Sequence, residues 1–396
     1  MNFDLPKNVR FILDRFNDAG YAAYVVGGPT RDLLRGVMPS DYDVTTNAKP
    51  DEIKALFSDI KTVDTGIKHG TVTLVIGGEP YEVTTYRIDG EYLDARHPSG
   101  VEFTDRLELD LLRRDFTMNA IAYNPRVGLV DTTSGISDIE NRVIRCVGEA
   151  HLRFSEDALR ILRALRFSAT LGFEIEERTA EAIFALKANL DLVSRERIYT
   201  ELKKMLAGSY LPSVIRSFMP VLSHIIPEWE GINDPCSIKF TSDFTVNLVS
   251  LFALAGVDGK TFEGRMRELR ADNATVNLGA SALDAQRRFS FNKKEDFIAL
   301  SLALGQEYAR AACRVAIAIG TADVSAYDTL EDILSKTPIT LKQLDISGDD
   351  LVSLGYRGAE IKKTLNALLA DVAYGRTKNE KNTLLGVAKE AKDNIM

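Results

Sequence analysis

Covalent and metal staples are scarce in this chain. Three cysteines, Cys146, Cys236 and Cys313, are scattered over 396 residues with no Cys-x-x-Cys pair and no histidine at ligand spacing. That excludes a disulfide framework and a zinc ribbon, and the thiols read as buried or half-buried apolar groups. No apolar stretch approaches the ~20 residues that a membrane span requires, so no membrane partner is expected. The N-terminus lacks a basic start followed by an apolar run, so the expectation is a cytoplasmic protein. A basic excess is also missing. The net charge of −8 argues against indiscriminate nucleic-acid binding, and any RNA contact must come from a local patch. With 45% hydrophobic and 27% charged residues the composition is that of a globular protein, and the length favours two to four domains.

The first ~135 residues mix strand and helix signals and the remainder reads as helix, which predicts an α/β head on an all-α body. Residues 11–19 form a short helix. Residues 21–26 are a compact β run ending in Gly27-Gly28, and 30–35 a helix closed by Gly36. A strand is predicted around 41–45. Residues 71–76 and 81–86 alternate with period two around Gly77-Gly78-Glu79-Pro80, a hairpin signal. Residues 89–105 read as a polar loop. Helical spacing of apolar residues runs over 155–171, 178–186, 195–206, 294–318 and 341–374, with 241–254 a further candidate and 258–280 polar enough to hold a boundary.

Four short segments carry chemistry, and their order within the first 160 residues is demanding. Asp41 and Asp43 lie two apart, so on a strand both carboxylates face one side while Tyr42 and Val44 face the other. Two such carboxylates repel unless a cation sits between them, and oxygen ligands completed by substrate phosphates suit Mg²⁺. Alone, the pair reads as a solvated turn after Pro39-Ser40, and it is the upstream glycines that favour the metal-binding reading. Gly27-Gly28 ends a strand and opens a helix, where unhindered N–H groups can hold a polyphosphate, and Arg31 lies one turn on. The segment does not continue as a Walker P-loop.

In Arg113-Arg114-Asp115, followed by Asn119, one arginine can hold phosphate and Asp115 can accept from ribose hydroxyls; the alternative is a surface ion pair at a helix end. Ser155 reads as the N-cap of a helix with Glu156 and Asp157 in its first turn. Asp157 and Arg160, at i and i+3, share a face that continues to Arg163 and Arg166. A carboxylate accepts from the exocyclic amine of cytosine or adenine, and a guanidinium donates to cytosine N3 or adenine N1. Uracil and guanine present a carbonyl and an N–H there, so one Asp/Arg pair accepts CTP and ATP and refuses UTP and GTP. Arg163 and Arg166 remain for phosphate or RNA. Glu82, in the strand after the hairpin turn, is a candidate third carboxylate or an exposed edge glutamate.

A glycine pair followed 13 residues later by Asp-x-Asp resembles the polymerase-beta-type nucleotidyltransferases. The wider set is similar to the class II tRNA nucleotidyltransferases, or CCA-adding enzymes, which share their head with bacterial poly(A) polymerases. It comprises Gly27-Gly28-x-x-Arg31-Asp32, Asp41-x-Asp43, His69-Gly70-Thr71-Val72, Glu82-Val83-Thr84-Thr85-Tyr86-Arg87, Asp115-Phe116-Thr117-x-Asn119-Ala120, Glu156-Asp157-x-x-Arg160 and Arg197-Ile198-x-x-Glu201-Leu202. The resemblance implies an α+β protein. A small polymerase-beta-type nucleotidyltransferase head with a mixed sheet (1–140) is followed by an elongated all-α neck for base recognition (141–210), a body (211–325) and a tRNA-binding tail (326–396). It also implies Asp41 and Asp43 as catalytic metal ligands for Mg²⁺, and Gly27, Gly28, Arg31, Arg114, Asp115, Asn119, Asp157, Arg160, Arg163 and Arg166 as nucleotide-binding residues.

Pro29-Thr30 departs from the small residue and Val usual there, which tilts the turn and removes no ligand. None of the four histidines precedes Asp, so the phosphohydrolase domain of some relatives is absent. Asp89-Gly90-x-Tyr92-x-Asp94-x-Arg96 resembles the flexible loop that full CCA-adding and A-adding relatives keep, which disfavours CC-only addition. The expected activity is addition of C, C and A to the tRNA 3′ end from CTP and ATP, with release of pyrophosphate and no protein partner required. The alternatives are an A-adding enzyme acting after a CC-adding one, a poly(A) polymerase, and a non-catalytic RNA-binding protein.

Overall fold

Gly77 and Gly78 both adopt positive φ (64° and 91°), the conformation that a two-residue hairpin turn with native twist demands. They join two antiparallel strands in register from Thr71 opposite Thr84 to Ile76 opposite Glu79, so Glu79 and Pro80 belong to the second strand rather than to the turn. The computed structural model describes residues 2–64, 66–89 and 101–393. These divide into two compact units, 1–225 and 226–396.

In the first unit the strands are β1 (Ala23–Val26), β2 (Val44–Thr46), β3 (Lys61–Val63), β4 (Thr71–Ile76), β5 (Glu79–Thr85), β6 (Arg87–Asp89), β7 (Val101–Phe103), β8 (Ile121–Asn124) and β9 (Gly128–Asp131). Among the described residues, seven of them form one mixed sheet in the order β3-β4-β5-β2-β1-β8-β9, with β2 and β5 parallel. Helices α1 (Lys7–Asp18), α2 (Gly28–Leu34) and α3 (Pro50–Leu56) interleave with the early strands. Val9, Ile12, Leu13 and Phe16 of α1 and Ile53 of α3 pack with Val25, Val44, Val72, Leu74 and Val83 in one core. Phe16 is fully buried in it, and truncation to Ala would cost about 3–5 kcal/mol. A second cluster gathers Val26, Tyr86, Ala120 and Ala122 with Leu107 and Leu111 of α4 (Leu107–Leu112).

The chain continues through α5 (Gly135–Glu140), α6 (Ala150–Glu156), α7 (Leu159–Leu171), α8 (Glu177–Leu186), α9 (Arg195–Leu206) and α10 (Leu211–Ile225). Two expectations change here. Residues 89–105 are not all loop: β6 and β7 pair, Arg87 opposite Phe103. The stretch with Tyr92, Asp94 and Arg96 lies outside the described residues. The helix expected from Ser155 is two helices broken at Asp157, whose backbone is extended and whose Oδ1 accepts from the Leu159 N–H at 3.1 Å where α7 begins. Ser155 instead donates back to the His151 carbonyl within α6.

The second unit is helical: α11 (Phe244–Leu254), α12 (Gly259–Glu268), α13 (Asn273–Arg288), α14 (Lys294–Leu304), α15 (Gln306–Ala318), α16 (Ser325–Lys336), α17 (Gly348–Ser353), α18 (Ala359–Ala373) and α19 (Lys381–Asp393). Residues 258–280, expected as a boundary, are helices capped by Asp258 and Asp272. They bury Phe262, Met266 and Val276, and their polarity is that of their solvent faces. Among the described residues no helix is long and apolar enough to cross a membrane.

Candidate active site

The strand expected over 41–45 begins only at Val44, but the chain before it stays extended alongside β1, with the Val26 N–H donating to the Asp43 carbonyl. Side chains therefore keep alternating: Tyr42 is buried, and Asp41 and Asp43 are exposed. Val44 is level with Val83 in the parallel β2/β5 pair, which brings Glu82 level with Asp43 on the same side. Solvent reaches Asp43, yet protein surrounds it on most sides. That burial, then the charges of Glu82 and Asp41, push its carboxyl up to about 6, with Arg114 opposing.

Facing these carboxylates is the turn between β1 and α2. Gly27 has φ 81° and ψ −132°, a region closed to residues with a side chain. A Cβ there would also sit 3.2 Å from Nη1 of Arg114. Pro29 occupies the first turn of α2, where a missing N–H is harmless, and the buried Thr30 hydroxyl donates to the Val25 carbonyl, so the departure at 29–30 fits this turn. Arg114 is held by Asp110, which is fully buried: Oδ2 accepts from Arg114 Nη2 at 3.2 Å, and Oδ1 from Arg113 Nε and Nη2 at 2.9 and 2.7 Å. The arginine pair is thus clamped from inside the protein rather than by a surface ion pair.

The remaining polar residues form one chain of contacts. Arg31 donates through Nε and Nη2 to Asp32, each at 3.0 Å, and through Nη1 to Asn119 Oδ1 at 2.9 Å. Asn119 Nδ2 donates to Asp115 Oδ1 at 3.0 Å, and Arg163 Nε and Nη2 reach Asp115 Oδ2 at 2.8 and 2.5 Å. Burial alone would raise the Asp115 carboxyl, but Arg163, the Asn119 hydrogen bond and the Arg160 charge outweigh it and hold it at about 2. Arg163 also lies 3.9 Å from Glu201, which pairs with Arg166 at 2.7 Å. Arg31 and Asp115 each have protein partners in this arrangement.

Asp157 and Arg160 do not share a helix face, because Asp157 precedes α7. Its Oδ2 accepts from Arg197 Nη2 at 2.8 Å. Arg160 is buried and donates to Glu156 Oε2, to the Arg153 carbonyl and, through Nη2, to the Arg113 carbonyl. That last bond ties α7 to the end of α4. Asp32, Glu156, Arg197 and Glu201, present in the sequence motifs without a role, are the partners of these arginines and of Asp157, and Asp110 joins them as a residue that no motif contains. Asp110 was detectable by its i, i+3 and i, i+4 spacing to the two arginines. Glu156, taken as a first-turn acid, ends α6 and pairs with Arg153 and Arg160.

Among the described residues no group of three or more His, Cys, Asp or Glu closes on one point as a full metal cage. Asp41 and Asp43 present an open oxygen edge instead. The mutual repulsion seen at Asp43 is what a divalent cation relieves, so the donor set fits one that keeps waters and takes phosphate oxygens.

Residues 23–145 match the family model described as poly A polymerase head domain, and 172–229 the one described as a probable RNA and SrmB-binding site of polymerase A. The chain is 36% identical over 388 residues to a CCA-adding enzyme of Lactobacillus helveticus, covering 94% of each chain. It is 34% identical to one of Leuconostoc mesenteroides, over 96% of this chain and 95% of that one. The crystal structure of the Bacillus stearothermophilus CCA-adding enzyme in complex with CTP superposes with a TM-score of 0.84 at 30% identity, over 98% of this chain and 97% of that one. The fold is shared with the Thermotoga maritima CCA-adding enzyme complexed with tRNA_CCA (TM-score 0.70, 21% identity).

Proposed function

The chain belongs to the CCA-adding enzyme family of tRNA nucleotidyltransferases, and from that premise we propose that it adds C, C and A in turn to the 3′ end of tRNA, using CTP and ATP and releasing pyrophosphate. Members of this family depend on a divalent metal, which we take here to be Mg²⁺ held by Asp41 and Asp43. When bound, the ion neutralises charge on the triphosphate and on the attacking 3′ oxygen.

The remaining roles belong to the chain itself. Gly27 and Gly28 let the triphosphate approach the backbone, and Arg114, clamped over Gly27 by Asp110, supplies a fixed positive charge. Arg31, Asn119, Asp115, Arg163 and Arg166 hold the glycine turn and α7 in register. Asp157 reads the exocyclic amine. Its two oxygens offer about four acceptor sites, of which Arg197 and the Leu159 N–H use one each. Arg160 donates to the neighbouring ring nitrogen, and Glu156 and the Arg113 carbonyl hold its guanidinium in place. The division of labour is a catalytic head over 1–140, a base-recognition neck over 141–210, a body over 211–325 and a tRNA-binding tail over 326–396, in a cytoplasmic protein.

The observation that carries this reading is the direct bond from Arg160, on the base-reading helix, to the carbonyl of Arg113, beside the arginine that overlies Gly27. The test is to incubate the protein and Mg²⁺ with tRNA transcripts lacking CCA, CA or only A, with single labelled nucleotides and then all four. Completion of every transcript to CCA followed by arrest is expected. Extension of only the CC-ended transcript would mean an A-adding enzyme, continued adenosine addition a poly(A) polymerase, and binding without extension a non-catalytic protein.

A further inference from the structure

Phe167 lies on α7, only 5% exposed, with three guanidinium groups around its ring. The Cζ atoms of Arg166, Arg31 and Arg163 lie 3.9, 5.3 and 5.5 Å from its centroid. Phe116 meets the same ring edge-on at 5.8 Å, with the planes at 86°. Each arginine has its own carboxylate: Asp32 for Arg31, Asp115 for Arg163 and Glu201 for Arg166.

A guanidinium has two chemically different surfaces. Its edge carries five N–H donors, which a carboxylate takes in its plane; its faces are weakly hydrated and are attracted to an aromatic quadrupole. Asp32 and Asp115 take the edges of Arg31 and Arg163, Glu201 pairs with Arg166 by charge at 2.7 Å without a hydrogen bond, and one ring attracts all three cations. An aliphatic side chain at 167 would desolvate the arginines and return no attraction. A polar one would compete for the N–H donors. Arg31 comes from the glycine-turn helix and Arg163 and Arg166 from α7, so the ring touches cations from both ends of the contact chain. Resting on the functional reading above, we propose that Phe167 is a positioning residue for nucleotide addition. Its π face gathers these three arginines and so sets the spacing between the glycine turn and the base-reading helix.

The test replaces Phe167 in the full chain with mono-, di- and trifluorophenylalanine, which keep the shape of the ring and progressively cancel its quadrupole. Phe167→Leu removes the face altogether. The readouts are KM and kcat for CTP and ATP in tRNA extension, with the thermal midpoint measured alongside. KM for both nucleotides should climb stepwise with fluorine number, reaching roughly tenfold in the trifluoro protein, as the measured range of cation–π attraction implies. Over the same series kcat should stay within about twofold, while the midpoint falls by only the few degrees that loss of this attraction entails. Phe167→Leu should raise KM at least as far. An unchanged KM across the series would overturn the role, as would a loss of activity carried by kcat alone while the midpoint falls, the mark of a packing residue only. Wild-type protein that added no nucleotide would instead sink the functional reading, and this role with it.

Discussion

Arg163 and Asp115, 48 residues apart in the chain, meet through two N–H groups on one carboxylate oxygen, at 2.8 and 2.5 Å. The carboxylate is buried and its other oxygen is occupied by Asn119 and the Phe116 N–H. The pair joins the segment after α4 to α7, and its loss would uncouple the two.

The Asp115 carboxyl is held at about 2, against an ordinary value of 3.8. A depressed folded-state value means stability that is fully present above the unfolded value and is lost as pH falls from about 4 to 2. The shift corresponds to about 2 kcal/mol. Chemical denaturation of wild type and Asp115→Asn at several pH values should show this difference at neutral pH and its disappearance near pH 2. A constant difference down to pH 2 would contradict the linkage.

Gly27→Ala meets two obstacles, a backbone conformation suited only to glycine and the Arg114 guanidinium at 3.2 Å. The strain should cost about 1–3 kcal/mol. The displaced arginine should raise KM for CTP and ATP together. Calorimetry and steady-state kinetics measure both. A destabilised variant with unaltered nucleotide KM would show that Arg114 does not act on the triphosphate.

Asp41→Ala removes an exposed carboxylate with no structural ion pair among the described residues. Incorporation should fall by on the order of 10³-fold or more, with the melting midpoint and tRNA affinity nearly unchanged. Retained turnover would remove Asp41 from the metal site.

Arg160→Ala should relax base choice more than it weakens triphosphate binding. The preference for CTP over UTP should drop by on the order of 10²-fold, because a site built to donate a hydrogen bond rejects a base that cannot accept it. The ratio of kcat/KM values measures this. Some stability will be lost too, since the buried guanidinium bonds the Arg113 carbonyl. A preserved ratio would count against template reading by this residue.

What was readable in the chain was periodic or local. The alternation of Asp41, Tyr42 and Asp43 survives although the strand proper starts at Val44, because outward and inward positions follow from extended backbone alone. The hairpin at Gly77-Gly78 and the apolar stripe of Arg195–Leu206 likewise follow from turn chemistry and helical period. The break at Asp157 is not legible locally, because its carboxylate takes the Leu159 N–H and a guanidinium 40 residues on, Arg197, which only the folded chain supplies.

By itself, the sequence determined which residue types could hold phosphate, metal and base, and their order along the chain. It also scattered the cysteines too widely for a disulfide framework, and all three are free in the fold. Tertiary structure alone decided that Arg31 and Asp115 have protein partners, that Asp110 lies fully buried under Arg113 and Arg114, and that Arg31, Arg163 and Arg166 surround Phe167. The reason is physical. Backbone period and turn preference act over a few residues and are written locally. A buried charge must instead find its partner wherever the folded chain brings one within hydrogen-bond reach, and that distance exists only after the core has formed.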